Sequence, residues 1–360
     1  MMSEQKYEKR DIRQEITNGI IEQLEKGVMP WRKNWQNVAP PALPANGESG
    51  RAYSGGNRVG LMVAMHERGW DDHRFMTFQQ LRKLDAGPGA GERGTPVEYW
   101  EKRAFWTRKD CVVLSDGKPV KVLDVAPNMM VSTSDGRTRP SRVLEVKGPD
   151  GSLMPWAAAD ARLSVMIGRH STVFNVAQCD RLGAWLEANP ISREPKKEPE
   201  LDAELEKVLR GMKRDGLTVQ DQPQNRAYYS PASDTVVMPE QRQFESPGAY
   251  RSTLLHEIAH ATGHPKRLGR ELGGGHGSES YAREELVAEL SSAFLSAATG
   301  IQRVDDSHAQ YIGFWLKTLH GKDGKDELYA AARDASKATD YVLARAQPQR
   351  EREPEPALER

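Results

Sequence analysis

Between residues 249 and 263 apolar residues recur at three- and four-residue spacing, which predicts an α-helix, and inside it lies His256-Glu257-Ile258-Ala259-His260. Residues four apart sit one above the other on a helix, so both imidazoles reach one point in space and Glu257 is turned towards the position beside it. The pattern demands more than a helix. A tetrahedral catalytic metal takes three protein ligands and keeps the fourth position for water, so the fold must bring a further ligand from elsewhere in the chain. The two cysteines, Cys111 and Cys179, stand in no ligand spacing, which leaves His and carboxylate donors and makes Zn²⁺ the expected ion.

Six residues beyond His260, where a third histidine would stand in one extended form of the pattern, the chain has Lys266. His264 is one turn beyond His260, but Gly263 and Pro265 flank it and break the helical register. A second amphipathic stretch, 282–295, offers Glu285 and Glu289 one turn apart on the same face. Zincins with a glutamate ligand commonly carry it on such a second helix, with an acid one turn later supporting a metal-bound imidazole. Glu285 is therefore expected on the metal and Glu289 behind a ligating histidine. The two roles could be exchanged, and Glu284 is a third choice. Glu257 is expected to act as general base towards a water that the ion activates. His308 and Tyr311, on a predicted helix over 307–320, are candidate donors to negative charge developing in the reaction, with packing or capping as their other use.

The rest of the chain divides by character. Its 360 residues exceed what one core usually organises, which favours two domains. Three prolines and six charges crowd 189–201 and mark a linker over 190–201. Before it, in a domain over 1–189, a helix over 7–26 and a shorter one over 60–68 precede β-like runs between 97 and 174, separated by Gly, Asp and Pro turns. After it, over 202–346, helices are expected at 202–214, 249–263, 281–299, 307–320 and 327–346, with a hairpin at 226–239 that turns at 231–234. Within that hairpin, 234–239 is either a sheet-edge strand able to pair with an extended peptide or an ordinary core strand. The tail, 347–360, is rich in Pro, Glu and Arg and is expected to be disordered. The fold class expected is α+β.

Net charge is zero, yet residues 1–190 carry 27 Lys and Arg against 23 Asp and Glu, and 191–360 carry 24 against 28. The sign of that difference permits an anionic partner for the first half. Seven of the eight tryptophans also lie before residue 190, so different work is expected of the two halves. No apolar run approaches the roughly 18 residues of a membrane span, and the first residues lack the apolar stretch of a signal peptide. A membrane is therefore not an expected partner, and a reducing cytoplasm is the expected location.

The second half, Tyr228-Tyr229-Ser230-Pro231…Asp234…Met238-Pro239…His256-Glu-Ile-Ala-His260…Arg267-Leu268…Arg270…Glu285…Glu289…His308…Tyr311…Trp315, resembles the zincin-like metallopeptidase domain of ArdC-type antirestriction proteins. The first half is similar to the same family's N-terminal domain through Ile16…Ile21, Pro30-Trp31-Arg32, Trp35, Arg51-Ala-Tyr53-Ser-Gly-Gly-Asn57 and Phe75-Met-Thr-Phe-Gln-Gln80. About 107–169 departs from the family pattern and reads as an insertion. The resemblance implies a two-domain α+β protein of a plasmid, phage or other mobile element. Its N-terminal domain would bind single-stranded DNA, and its C-terminal domain, mainly helical with a small β-sheet, would be a zinc peptidase acting on a host restriction enzyme or other protein.

The residues themselves point to DNA more weakly. Single-strand binders set aromatic faces for base stacking beside cations that follow the phosphates. Trp31, Arg32, Lys33 and Trp35, then Arg51, Tyr53, Asn57 and Arg58, interleave those types in predicted loops. The alternative for the tryptophans is the protein's own core. The alternative for the whole chain is a non-catalytic protein that binds and protects single-stranded DNA and in which zinc only braces the fold.

Overall fold

The computed structural model describes residues 11–31, 42–192, 194–272, 278–301 and 312–347. Helix α1 (Ile12–Glu25) starts where the Asp11 carboxylate accepts the Gln14 amide, and it buries Thr17, Ile20, Ile21 and Leu24, the face its periodicity marks. Helix α2 (Gly55–Arg68) needs glycine at 56, because a Cβ there would lie 2.2 Å from the Tyr329 ring. Strands Ala45–Asn46 and Arg74–Thr77 run parallel, and 173–175 pairs antiparallel on the other side of 75–77. Thr77 and Gln80 then cap each other's amides to open α3 (Phe78–Lys83).

Residues 97–171 form a compact unit of their own. Strands Thr95–Arg103 and Val165–Asn175 lead into and out of it as neighbours. Inside, one small sheet orders Leu153–Pro155, Leu144–Lys147, Val112–Ser115 and Lys118–Val120. A second joins Val122–Val125, Met130–Thr133 and Thr138–Pro140. With α4 (Trp156–Leu163) they enclose Phe105, Val131, Leu144, Val146 and Trp156, the Phe105 ring meeting the Trp156 indole edge-on at 4.7 Å. The stretch 107–169, expected as an insertion, lies within this unit.

The remainder, 1–96 with 172–360, is the second unit. Its later helices are α5 (Gly183–Ala188), α6 (Glu198–Arg214), α7 (Pro247–Ala261), α8 (Glu279–Thr299), α9 (Ile312–Leu319) and α10 (Gly324–Ala346). Helix α10 touches α1, α2, α6, α8 and α9. Its buried Ala331, Ala332, Ala335 and Ala338 let those helices come close, and Gly211 of α6 does the same at the far end, where a Cβ would stand 2.5 Å from the Arg345 carbonyl oxygen. One core therefore mixes α1 and α2 (Ile20, Leu24, Val59) with α8, α9 and α10 (Leu290, Phe294, Trp315, Leu328).

The parting of the chain thus runs differently from the boundary expected at 190–201. Lys196 shows why: its ammonium donates to the Thr299 carbonyl at 2.8 Å and pairs with Glu204 at 3.1 Å, so this stretch is pinned to α8 and α6. The structure also decides between the two readings of 234–239. Strand Thr235–Pro239 is the middle of three, parallel to Thr218–Gln222 and antiparallel to Tyr228–Ser230, with all five residues buried. Both its sides are taken, so it is the core strand and not the edge. The hairpin turns at 231–234 as predicted, with Asp234 in the left-handed region at φ 49°. The tail beyond 347 lies outside the described residues. No helix among those described is long and apolar enough to cross a membrane.

Candidate metal centre

Ser246 caps α7 by accepting the Ala249 amide, Pro247 follows at its first turn, and the helix then runs through a buried environment to Ala261. His256 and Glu257 are buried and His260 nearly so. The two Nε2 atoms face each other at 3.1 Å. From α8, Glu285 reaches both, its Oε2 3.6 Å from His256 Nε2 and its Oε1 3.6 Å from His260 Nε2. These three residues are the one group among the described His, Cys, Asp and Glu whose donor atoms all lie within 4.8 Å of one another. Ligands in a tetrahedron with bonds of about 2.1 Å are about 3.4 Å apart, so two imidazole nitrogens and a carboxylate oxygen at these distances fit one divalent ion.

Electrostatics bind the trio. Burial would raise the Glu285 carboxyl, but its hydrogen bond with His256, the charge of both imidazoles and a hydrogen bond from Tyr281 hold it down at about 2. Burial would likewise lower His260, but the Glu284 hydrogen bond and the charges of Glu285, Glu284 and Glu257 outweigh it and lift the ring to about 9. A site this negative favours a cation.

Behind the trio stand the groups that orient it. Glu284, weighed from sequence as a third choice of ligand, faces the other side of His260, with Oε1 3.2 Å from Nδ1. Arg270 grips Glu284 with two hydrogen bonds, at 2.7 and 3.0 Å, and donates also to the Ala259 carbonyl at 2.9 Å and the Thr262 hydroxyl at 2.7 Å. Glu289 is fully buried, with Oε2 3.9 Å from His256 Nδ1. Just past α7, the Arg267 side chain is wholly buried, paired with Asp234 at 2.7 Å and with Asp215 at 3.3 Å, and it donates to the Ala261 carbonyl at 3.0 Å. Two arginines so occupy carbonyls at the negative end of the ligand helix. Sequence reasoning gave neither arginine a role; their place at ten and seven residues beyond His260, where the helix has to end, was the available signal.

The other expected residues are dispersed. His264 lies beyond the end of α7, its Nδ1 accepting the Lys266 amide at 3.2 Å, and is outside the trio. His308 and Tyr311 fall outside the described residues, as do Arg32, Lys33 and Trp35. Trp31 is a core side chain and has no face to offer a base: it is 4% exposed, packs edge-on against Trp315 with ring centres 6.0 Å apart, and donates its indole N–H to Glu289 at 3.2 Å. Arg58 is also buried, donating to Asp340 and to the Tyr53 carbonyl and lying 5.0 Å over the Phe294 ring, so it is a core cation and not a phosphate contact. Arg51 is exposed, while Tyr53, edge-on to Phe75, and Asn57 are partly buried.

Comparison with known proteins fits these two halves. Residues 203–334 match the model of a zincin-like metallopeptidase, and 10–123 match that of the N-terminal domain of the anti-restriction factor ArdC. Two DNA primases TraC of Escherichia coli are 35% and 34% identical over 93% of this chain, which spans only 20% and 27% of their lengths. An uncharacterised protein of Sinorhizobium fredii, y4eC, is 30% identical over 93% of this chain and 92% of its own. The crystal structure of antirestriction ArdC protein from plasmid R388 superposes with a TM-score of 0.64 in its metal-free form, at 28% identity over 94% of this chain and 98% of that one. Its Mn(II)-bound form gives 0.61, at 26% identity over 95% and 100%. With both family domains present in order along one α+β chain, and full-length likeness to y4eC and to ArdC, this protein belongs to the ArdC-type antirestriction family.

Proposed function

We propose that the protein is an antirestriction factor that binds single-stranded DNA through its N-terminal half and carries a zinc-dependent peptidase site on α7 and α8. The observation that carries the enzymatic part is the convergence of His256, His260 and Glu285 with Glu257 buried beside them. These three would hold the ion, and Mn(II) in the R388 relative makes the choice of metal a matter for measurement. When bound, the ion supplies a Lewis acid that acidifies water and polarises a peptide carbonyl. Glu257, next to His256 in the helix, takes the proton from the attacking water and returns it to the leaving amine. Glu284, within hydrogen-bond distance of His260 Nδ1, holds that imidazole in the tautomer that leaves Nε2 free to donate its lone pair, and Glu289 stands 3.9 Å behind His256 Nδ1. The protein substrate, a host restriction enzyme or another protein, acts in the cytoplasm on this reading.

For DNA, the matched N-terminal domain and the accessible members of the expected set, Arg51, Tyr53 and Asn57, support the reading. Phe78, 50% exposed at the start of α3, adds an aromatic face that a base could stack on. Glu257→Gln keeps the shape and removes the base. It should retain the metal and the DNA yet lose 10²–10⁴-fold of hydrolysis, or about that, in a protease assay on purified candidate substrates. Equal cleavage by this variant or in the presence of chelator would sink the peptidase reading. Gel-shift titration should show tighter binding of single strands than duplex, weakening with salt. Equal affinity for the two would sink the DNA reading.

A further inference from the structure

Trp31 belongs by sequence to the segment matched by the N-terminal family domain, and Glu289 to the metallopeptidase segment, 258 residues away, yet they form a buried hydrogen bond of 3.2 Å. Glu289 has no exposed surface, and an ionised carboxylate in such a place is stable only if donors meet its oxygens. Its two oxygens are divided: Oε1 accepts the Trp31 indole N–H, and Oε2 points at His256 Nδ1, 3.9 Å away. An indole N–H only donates, so it cannot take the imidazole proton or turn the carboxylate into a competing donor. It fixes which oxygen faces His256. Trp31 in turn is held by Trp315 and by the core that joins α1 and α2 to α8, α9 and α10.

Resting on the metal-centre reading above, we propose that Trp31 is a positioning residue for the metal site: through Glu289 it sets His256, so the N-terminal segment completes a centre whose ligands all come from the C-terminal one.

The test measures affinity of the full chain for Zn²⁺ and for Mn²⁺ by competition with a chromogenic chelator, alongside thermal unfolding of the metal-free protein. Trp31→Phe keeps an aromatic ring and removes the donor. It should weaken both metals about 10-fold, the low end of what outer partners of ligating histidines contribute. Combined with Glu289→Gln it should cost no more than Glu289→Gln alone, since both act along one path. Trp315→Phe removes an indole donor from the same core, one that binds the Ala282 carbonyl at 3.2 Å, and should leave metal affinity within about twofold of wild type. Benzothienylalanine at position 31, the shape of tryptophan without its N–H, must reproduce the loss even where Phe unsettles the fold. Wild-type affinity in the benzothienyl protein, additive losses with Glu289→Gln, or an equal loss in Trp315→Phe would each overturn the proposal. His260→Ala separates the two levels: if it keeps a full metal equivalent, the metal-centre reading itself fails, whereas loss there with no loss at Trp31 refutes only the positioning role.

Discussion

Arg270 and Lys102 each hold an acidic side chain at 2.7 Å, Glu284 in the first case and Asp160 in the second, but in unlike surroundings. The Arg270 pair is 10% and 9% exposed and leans on a histidine of the metal trio; the Lys102 pair, in the 97–171 unit, is 52% and 37% exposed. Arg162 with Asp150 and Arg169 with Glu101 repeat the second case. Water already solvates those groups, so pairing them changes little, whereas a buried pair must be complete because water does not meet a charge left without its partner. The shortest distance is the same in both regions, and it is burial that turns a contact into a constraint.

The largest test of that contrast is Arg270→Met. It strands Glu284 and should cost about 3–5 kcal/mol in denaturant unfolding, as breaking one half of a buried pair does. A cost no greater than that of a surface pair would erase the distinction. Next comes Glu284→Gln, which leaves Arg270 a partner but weakens the hold on His260; chelator competition should show a 10–100-fold loss of metal affinity, or about that. If affinity is unchanged, Glu284 steadies the fold and not the ligand.

Asp234 is intermediate, and pH sharpens its place. Partial burial would raise its carboxyl, but the Arg267 hydrogen bonds and charge and the Tyr229 hydroxyl hold it below the ordinary carboxylate value. A depressed folded-state value means that the stabilisation is present above about pH 4 and is lost as pH falls through the folded value. Asp234→Asn should therefore cost about 1.5–3 kcal/mol at neutral pH, as for hydrogen bonds to charged groups, and the two proteins should converge in acid. A gap that does not narrow as pH falls below about 4 would assign the loss to packing. The smallest effect belongs to Lys102→Ala, which should leave thermal unfolding within measurement error and insensitive to added salt.

Much of this was legible in sequence, for reasons that differ by element. Helices α1 and α10 announce themselves because each buries one face at three- and four-residue spacing, whereas α7 and α8 are buried nearly all round, and what marks them in the sequence is the four-residue spacing of their histidines and acids. Strand Thr218–Gln222 has no such signature: its Thr-Val-Gln-Asp-Gln sequence is mostly exposed at a sheet edge, so nothing in it alternates strongly, and without it 234–239 reads equally as an edge or a core strand. The parallel pairing between them is a nonlocal fact. So are the burial of Trp31 and Arg58, which depends on α8 and α10 arriving from the other end of the chain. Loops rich in Trp and Arg read alike whether they face a nucleic acid or a helix.

The side-by-side strands Thr95–Arg103 and Val165–Asn175 have a consequence for how such a chain changes over time. Because entry and exit are adjacent, the ring of chain between them is already closed by the ladder, and its closure entropy grows only with the logarithm of its length. A unit with its own core, Phe105 and Trp156 at its centre, can be gained, lost or exchanged at that gate as a tip is changed on a tool, while the helices that hold the metal trio keep the same neighbours. Variation in length between relatives is then expected to collect between residues 103 and 165, where the fold tolerates it at least cost.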